Sequence, residues 1–220
     1  MCVIRIPSIN NISPTALAAT CLVSTGVLLG SGASPVAMPA SPTTVPAPHS
    51  LTLHPGDGEA LAYAMTPERR ALLNTIRYAE GTWSNGDDRG YQVMYGGGSF
   101  DDLSRHPETV VVKGYTSAAA GAYQFLPSTW KGVASELQLD SFEPAQQDQA
   151  ALHLVERRGA LDEIDRRGLT SAAMARLAPE WASFPTWSGR SAYGQPVKSR
   201  HDLVRFYSLN LDQLRRQIEA

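Results

Sequence analysis

Cysteine, paired histidines and clusters of basic residues are all scarce in this chain of 220 residues. The only cysteines are Cys2 and Cys21, so the sequence after them has no thiol and no disulfide bond. The five histidines never have the spacing of paired metal ligands, and there is no Gly-x-Ser-x-Gly motif or phosphate-binding glycine loop. We therefore expect no metal and no cofactor. Because 19 Lys and Arg stand against 21 Asp and Glu, we also expect no nucleic-acid partner.

The first 60 residues differ in composition from the rest, with eight of the 15 prolines and one basic residue, Arg5. Residues 16–30 form a mainly apolar segment that is too short, and whose side chains are too small, to indicate a membrane span. A short apolar segment of this kind near the N-terminus is typical of a signal peptide. We predict a signal peptide or N-terminal anchor at 1–33, a disordered spacer at 34–60 and one folded domain at 61–220. The predicted protein is exported to the periplasm or secreted, and is not inserted in the membrane after signal cleavage.

The first helix of the folded domain carries an acid on an apolar face. Thr66 is the predicted N-cap, a proline follows it, and Gly81 supplies a left-handed stop. Leu73, Ile76 and Glu80 share one face, so the Glu80 carboxylate points toward the core or a cleft. Apolar neighbours and the helix C-terminus both raise its pKa, as a general acid requires. The simpler interpretation is a solvated Glu at a frayed helix end.

A small sheet is predicted after this helix, with strands at residues 91–95 and 109–112. Small residues then lead to Tyr123 and Gln124, an aromatic ring and an amide of the kind that recognise a sugar and its acetamido group. Core packing of Tyr123 and a surface position for Gln124 is the alternative interpretation.

Helices dominate the remainder of the domain, which makes the predicted fold α+β and mostly helical. One helix begins after Leu126, and another spans residues 145–158 with Asp148 in its first turn, where a structural role is the first interpretation. Two terminal helices are predicted around residues 203–207 and 211–218.

Nine short pieces of the sequence, in order, resemble the lambda-type phage endolysins, which are lytic transglycosylases of bacterial cell walls. The pieces lie at residues 79–82 (Ala-Glu-Gly-Thr), 90–91, 96–97, 100–107, 120–124 (Ala-Gly-Ala-Tyr-Gln), 147–148, 156–161, 181–185 (Trp-Ala-Ser-Phe-Pro) and 193–195 (Tyr-Gly-Gln). Two departures accompany them: the exported N-terminus, and a loop at residues 185–193 that looks longer than in the phage protein.

The resemblance implies a lysozyme-like domain with its small sheet near the catalytic helix. By resemblance, Glu80 is the catalytic acid, and Tyr123, Gln124 and Tyr193 contact the glycan. Gly121 and Gln195, in the same motifs, complete the predicted substrate contacts. The implied reaction cleaves the bond between N-acetylmuramic acid and N-acetylglucosamine of peptidoglycan and leaves a 1,6-anhydro end, with one carboxylate and no cofactor.

Two alternatives remain open at this stage. A hydrolytic muramidase needs a second carboxylate, and Asp87 or Asp88 follows Glu80 across a turn. A non-catalytic module would use Glu80 and the aromatic residues only to bind peptidoglycan. In each case the predicted partner is the glycan strand, and the protein is expected to be a monomer.

Overall fold

The computed structural model describes residues 61–219, so the predicted signal peptide and spacer lie outside the described residues. This part of the chain contains six helices and a two-stranded antiparallel sheet. In chain order they are α1 (Pro67–Glu80), β1 (Val111–Val112), β2 (Thr116–Ser117), α2 (Pro127–Leu137), α3 (Pro144–Arg157), α4 (Leu161–Arg167), α5 (Ser171–Leu177) and α6 (Arg200–Glu219). Two short 3₁₀ helices, Asp88–Gln92 and Tyr95–Gly97, lie between α1 and the sheet. The predicted α+β fold is confirmed.

Helix α1 begins and ends where local signals predict. The Thr66 hydroxyl accepts a hydrogen bond from the Arg69 N–H at 3.3 Å, and Gly81 ends the helix with φ of 77°. Leu72, Leu73 and Ile76 are fully buried, and α1 packs against α3, α4 and α6. Burial of each such side chain contributes about 1.5–3 kcal/mol, so α1 is held mainly by its apolar face.

The C-terminal part of the chain forms one helix of 20 residues, so the prediction of two terminal helices is wrong. No glycine or proline interrupts residues 207–211, and nothing local ends the first predicted helix there. Asn210 lies at the predicted break, and its side-chain oxygen accepts a hydrogen bond from Asn74 Nδ2 at 2.7 Å. One helical turn earlier, Phe206 stacks on Tyr78 with ring centroids 4.4 Å apart. Long-range packing on α1 thus keeps α6 continuous.

The sheet is smaller than predicted. Val111 pairs with Ser117 and Val112 with Thr116, so the strand at residues 109–112 is confirmed over its last two residues. The prediction of a strand at residues 91–95 is wrong. This segment ends one 3₁₀ helix and starts the next, and between them it forms only isolated β-bridges. The Asp87 carboxylate accepts the Arg89 N–H at 2.7 Å and thereby starts the first 3₁₀ helix.

A buried carboxylate joins α1, α3 and the loops between them. Asp148 Oδ2 pairs with Arg70 Nη1 at 2.6 Å, while Oδ1 accepts hydrogen bonds from the hydroxyls of Tyr91, at 2.8 Å, and Tyr123. Burial is the largest single influence on the pKa of Arg70 and lowers it. The charge and hydrogen bond of Asp148, together with the nearby Tyr91 and Tyr123, outweigh burial, so the net shift is upward. Asp148 is therefore a structural residue, and its partners are side chains rather than backbone amides.

The segment just before α1 is fixed to α3 by the side chain of Gln149. The Tyr63 N–H donates to Gln149 Oε1 at 2.7 Å, and Gln149 Nε2 donates to the Tyr63 carbonyl at 2.9 Å. The Tyr63 hydroxyl also donates to the Glu156 carboxylate. A single side chain thus satisfies both backbone groups of Tyr63, as a neighbouring strand would.

Candidate active site

Glu80 is the last residue of α1 and lies on the wall of a cleft of about 300 Å³. Leu73 and Ile76, on the same helical face, are fully buried, and the Glu80 side chain is half-buried. The helix stops immediately afterwards at Gly81, where the left-handed backbone is cheap for glycine. This stop places the carboxylate where the apolar face of α1 meets the cleft.

Among residues 61–219, the side chain that hydrogen-bonds to the Glu80 carboxylate is Ser183, whose hydroxyl donates to Oε1 at 2.6 Å. Burial raises the pKa of Glu80, and the Ser183 hydrogen bond lowers it by less, so the net shift is upward. The predicted direction of the shift is confirmed. Glu80 consequently keeps its proton to a higher pH than an ordinary glutamate, which suits a proton donor.

Another part of the cleft wall comes from residues 95–119, around β2. Tyr95 is held by its N–H, which donates to the Ala119 carbonyl at 2.7 Å, and its hydroxyl accepts the Tyr115 N–H at 3.3 Å. The Tyr115 side chain is 51% exposed and lines the same cleft as Glu80 and Ser117. Tyr115 therefore presents an accessible aromatic ring beside the acid.

Gln124 and Gln195, both predicted as substrate contacts, line this cleft together with Glu80. The backbone of Gln124 is left-handed, with φ of 50°. Its Nε2 donates to the carbonyls of Val93, at 3.1 Å, and Gly121, at 3.0 Å. Because the amide nitrogen is used within the protein, the oxygen Oε1 is the group that Gln124 can offer to a ligand.

Tyr123 and Gly121 lie in the core, which corrects their predicted place in the cleft. Tyr123 is 1% exposed and its hydroxyl donates to Asp148, so the ring cannot reach a glycan in this structure. Gly121 is buried with φ of 80°, and a Cβ there would collide with the side chains of Gln147 and Phe142. The small residue serves packing behind the cleft rather than contact with a ligand.

Tyr193 is half-buried, and its hydroxyl donates to the Pro179 carbonyl at 2.8 Å. Its side chain is not part of the cleft wall, which in this region comes from Gln195 and Pro196. The hydrogen bond between Tyr193 and Pro179 thus stabilises the loop that carries Gln195.

Asp87 and Asp88 are exposed and are not part of the cleft wall. Asp87 caps the first 3₁₀ helix, and hydrogen bonds from the Arg89 backbone and guanidinium hold its pKa below the usual range. Among residues 61–219, Glu80 is the only carboxylate that lines the cleft.

Ser183 and Tyr115 line the cleft but were not predicted as site residues from the sequence. Ser183 lies 103 positions from Glu80, so only the motif at residues 181–185 could have drawn attention to it. Tyr115 lies between β1 and β2, outside the motifs, and no local pattern marks it.

A larger depression, of about 670 Å³, lies between residues 105–108 and α2. Glu108 is its only carboxylate among the described residues, and this side chain is exposed. The site chemistry is therefore assigned to the smaller cleft, which holds the half-buried Glu80 with its raised pKa.

Comparison with known proteins identifies the family of the chain. The family model described as Endolysin matches residues 70–214, more than half of the chain. The chain belongs to the endolysin family. As an endolysin-family protein it is a peptidoglycan-cleaving enzyme with a lysozyme-like fold.

Two curated relatives of this endolysin-family chain are similar over most of their length. The endolysin of Escherichia phage lambda is 38% identical over 134 residues, which is 58% of this chain and 81% of the relative. The endolysin of Escherichia phage P2 is 34% identical over 148 residues, which is 61% of this chain and 87% of the relative.

Solved structures of a phage lysozyme resemble the fold. Bacteriophage lambda lysozyme complexed with a chitohexasaccharide has a TM-score of 0.60 and 34% identity, covering 67% of this chain and 96% of that chain. Another structure of lysozyme from bacteriophage lambda has a TM-score of 0.55 and 31% identity, covering 70% of this chain and 96% of that chain.

Within residues 61–219, no group of three or more His, Cys, Asp or Glu side chains could hold a metal ion. None of the helices in the described part of the chain is both long and apolar enough to cross a membrane.

Proposed function

We propose that the protein is a lytic transglycosylase that cleaves the β-1,4 bond between N-acetylmuramic acid and N-acetylglucosamine in peptidoglycan. The observation that carries this proposal is the composition of the cleft. Among the described residues, its wall contains one carboxylate, Glu80, and burial raises the pKa of that group. A hydrolase of the usual kind needs two carboxylates, whereas a transglycosylase can use one acid in both steps.

In the first step, protonated Glu80 donates its proton to the glycosidic oxygen as the bond to C1 of the muramic ring breaks. The acetamido group of that sugar stabilises the positive charge that develops at C1. The products of this step are a free 4-hydroxyl on the leaving sugar and an ionised Glu80, whose Oε1 accepts the Ser183 hydroxyl.

In the second step, the Glu80 carboxylate removes the proton from the C6 hydroxyl of the same muramic residue. The C6 oxygen attacks C1 and closes a 1,6-anhydro ring, and Glu80 returns to its protonated form. No water molecule is consumed, so the reaction needs no second carboxylate to activate one.

Substrate orientation is assigned to the polar and aromatic residues of the cleft. The exposed ring of Tyr115 offers a face to a sugar, and Gln124 Oε1 can accept the N–H of an acetamido group. Gln195 lies on the wall formed by the loop after Phe184. Of the glycan contacts predicted from the sequence, Gln124 and Gln195 are kept and Tyr115 is added. Tyr123, Gly121 and Tyr193 are no longer proposed as contacts.

The hydrolytic alternative requires Asp87 or Asp88 to act as the second carboxylate. Both side chains are exposed and outside the cleft wall, and Asp87 is engaged in capping a 3₁₀ helix. Their positions therefore support the single-carboxylate reaction.

Mass spectrometry of the soluble products from purified peptidoglycan tests the proposal. We expect muropeptides that are lighter by one water than hydrolysis products and that resist borohydride reduction. Reducing muramic ends would reject the transglycosylase and assign the chain as a hydrolase. Peptidoglycan that binds the protein without releasing soluble fragments would reject an enzyme of either kind.

We further propose that residues 16–30 direct export, so that the enzyme acts on the wall from outside the cytoplasmic membrane. Cell fractionation of the full chain and of a variant without residues 1–33 tests this proposal. Equal retention of both proteins in the cytoplasm would reject it.

A further inference from the structure

Trp187 is the most exposed aromatic side chain that the structure describes, at 69% exposure. A single exposed apolar residue is common on protein surfaces and is not a site by itself. Two properties of its surroundings set this tryptophan apart: the backbone around it is fixed, and the loop that carries it starts and ends at the cleft.

The backbone around Trp187 is a closed turn held by α6. The Thr186 N–H and hydroxyl both donate to the Arg190 carbonyl, at 2.9 and 2.7 Å. Arg200, the first residue of α6, donates from Nη2 to the carbonyls of Thr186 at 2.7 Å and Trp187 at 2.6 Å. A large ring on a fixed backbone loses little conformational freedom when it binds, which is the arrangement of a preorganised contact.

The loop that carries Trp187 is attached to the catalytic cleft at both ends. Ser183, at the start, hydrogen-bonds to Glu80, and Gln195 and Pro196, near the end, line the cleft. The Lys198 N–H donates to the Ser183 carbonyl at 3.0 Å and closes the base of the loop. Trp187 is four residues from Ser183, so their Cα atoms are within about 15 Å of each other.

The cleft is too small for a long glycan. Its volume of about 300 Å³ is at the lower end for ligand pockets, whereas peptidoglycan strands are polymers. A strand bound at Glu80 must continue over the neighbouring surface. On the side of the cleft formed by residues 183–196, the exposed ring of Trp187 offers this strand a large apolar surface to contact.

We infer that Trp187 is a glycan-binding platform outside the catalytic cleft, against which a sugar ring of the peptidoglycan strand stacks. This inference rests on the proposed function of the cleft, because it extends the same substrate beyond it. Trp187 contributes affinity for long strands and takes no part in bond cleavage, so it is a specificity-determining residue.

Binding of chitohexasaccharide and of purified peptidoglycan to the full chain tests the inference, with Glu80→Gln present in every variant to prevent cleavage. We expect Trp187→Ala to bind both ligands roughly threefold to tenfold more weakly, and Trp187→Tyr to bind nearly as well as the parent. Chitobiose, which the cleft can hold alone, should bind equally to all variants. Leu209→Ala is the matched control. Leu209 lies on α6 and is 60% exposed, so this substitution also removes exposed apolar surface.

Equal binding of the long ligands by the parent and by Trp187→Ala would overturn the inference. The same holds if Leu209→Ala weakens binding as much as Trp187→Ala does. Failure of the proposed function is seen separately, as absence of 1,6-anhydro products from the protein with Glu80 intact. In that case the binding comparison still decides the role of Trp187.

Discussion

Glu80 and Asp148 are two carboxylates at the edge of the same core, and their surroundings differ in one respect. Asp148 is neutralised by Arg70 and receives two tyrosine hydroxyls. Glu80 has no cation partner among the described residues and receives one serine hydroxyl. A carboxylate paired with a cation and two hydroxyl donors joins parts of the fold, whereas a carboxylate with a single donor in a cleft, whose pKa burial raises, is suited to exchange a proton.

The difference separates the proposed acid from a structural one without reference to any relative. The Asp148 side chain contacts three residues from three other segments, whereas the Glu80 side chain lines the cleft.

Glu80→Gln should abolish glycan cleavage, with turnover reduced by a factor of about 10³ or more, because the amide cannot donate or accept the transferred proton. Release of soluble fragments from purified peptidoglycan measures the effect. Glu108→Gln, an exposed acid in the larger depression, is the control and should cleave normally. Turnover by Glu80→Gln equal to that of the parent would remove Glu80 from the mechanism.

Asp148→Asn should destabilise the fold by about 3 kcal/mol or more, because it leaves the Arg70 guanidinium, 21% exposed, without a counter-charge. Urea unfolding measures the change in midpoint. Glu68→Gln removes the more exposed ion pair with Arg215 and should cost less than about 1 kcal/mol. Similar losses in the two variants would contradict the structural role assigned to Asp148.

Ser183→Ala should raise the pKa of Glu80 further, because the lost hydrogen bond is the one that favours the ionised carboxylate. Activity falls as pH rises through the pKa of the acid, so the alkaline limb of the pH–rate profile should move to higher pH. Turnover at the optimum should drop by roughly tenfold or less. Ser183→Thr keeps the hydroxyl and should preserve the profile; an unchanged profile in Ser183→Ala would separate Ser183 from the acid.

Glu80→Gln should also change the pH dependence of stability. Because the pKa of Glu80 is raised in the folded state, protonated Glu80 favours folding and the contribution is lost as pH rises through that pKa. Thermal midpoints of the parent and variant should therefore agree at acidic pH and diverge near neutral pH, with the variant the more stable. A parent that gains stability over the variant as pH rises would reverse the sign of the shift.

Asp88→Asn should leave cleavage and stability nearly unchanged, within about 0.5 kcal/mol for stability, because the side chain is exposed and outside the cleft. Peptidoglycan turnover measures it beside the parent. A severe loss of activity would indicate the two-carboxylate reaction.

Local signals predicted the helix that carries the acid, and long-range contacts decided what the sequence could not predict. Thr66 and Gly81 act on their immediate neighbours, so the bounds of α1 and the direction of the Glu80 pKa shift were accessible. The burial of Tyr123 depends on Asp148, 25 residues away, and the role of Ser183 depends on Glu80, 103 residues away. No pattern within a helix or strand encodes either contact.

The two hydrogen bonds between the Gln149 side chain and the Tyr63 backbone determine where a mechanical load on the chain enters the folded domain. A pull on the chain from the N-terminal side reaches these two hydrogen bonds before it reaches α1, and the load passes to α3 through the Gln149 side chain. The geometry between Glu80 and Ser183, at the far end of α1, is thereby insulated from tension that enters the folded domain at Tyr63.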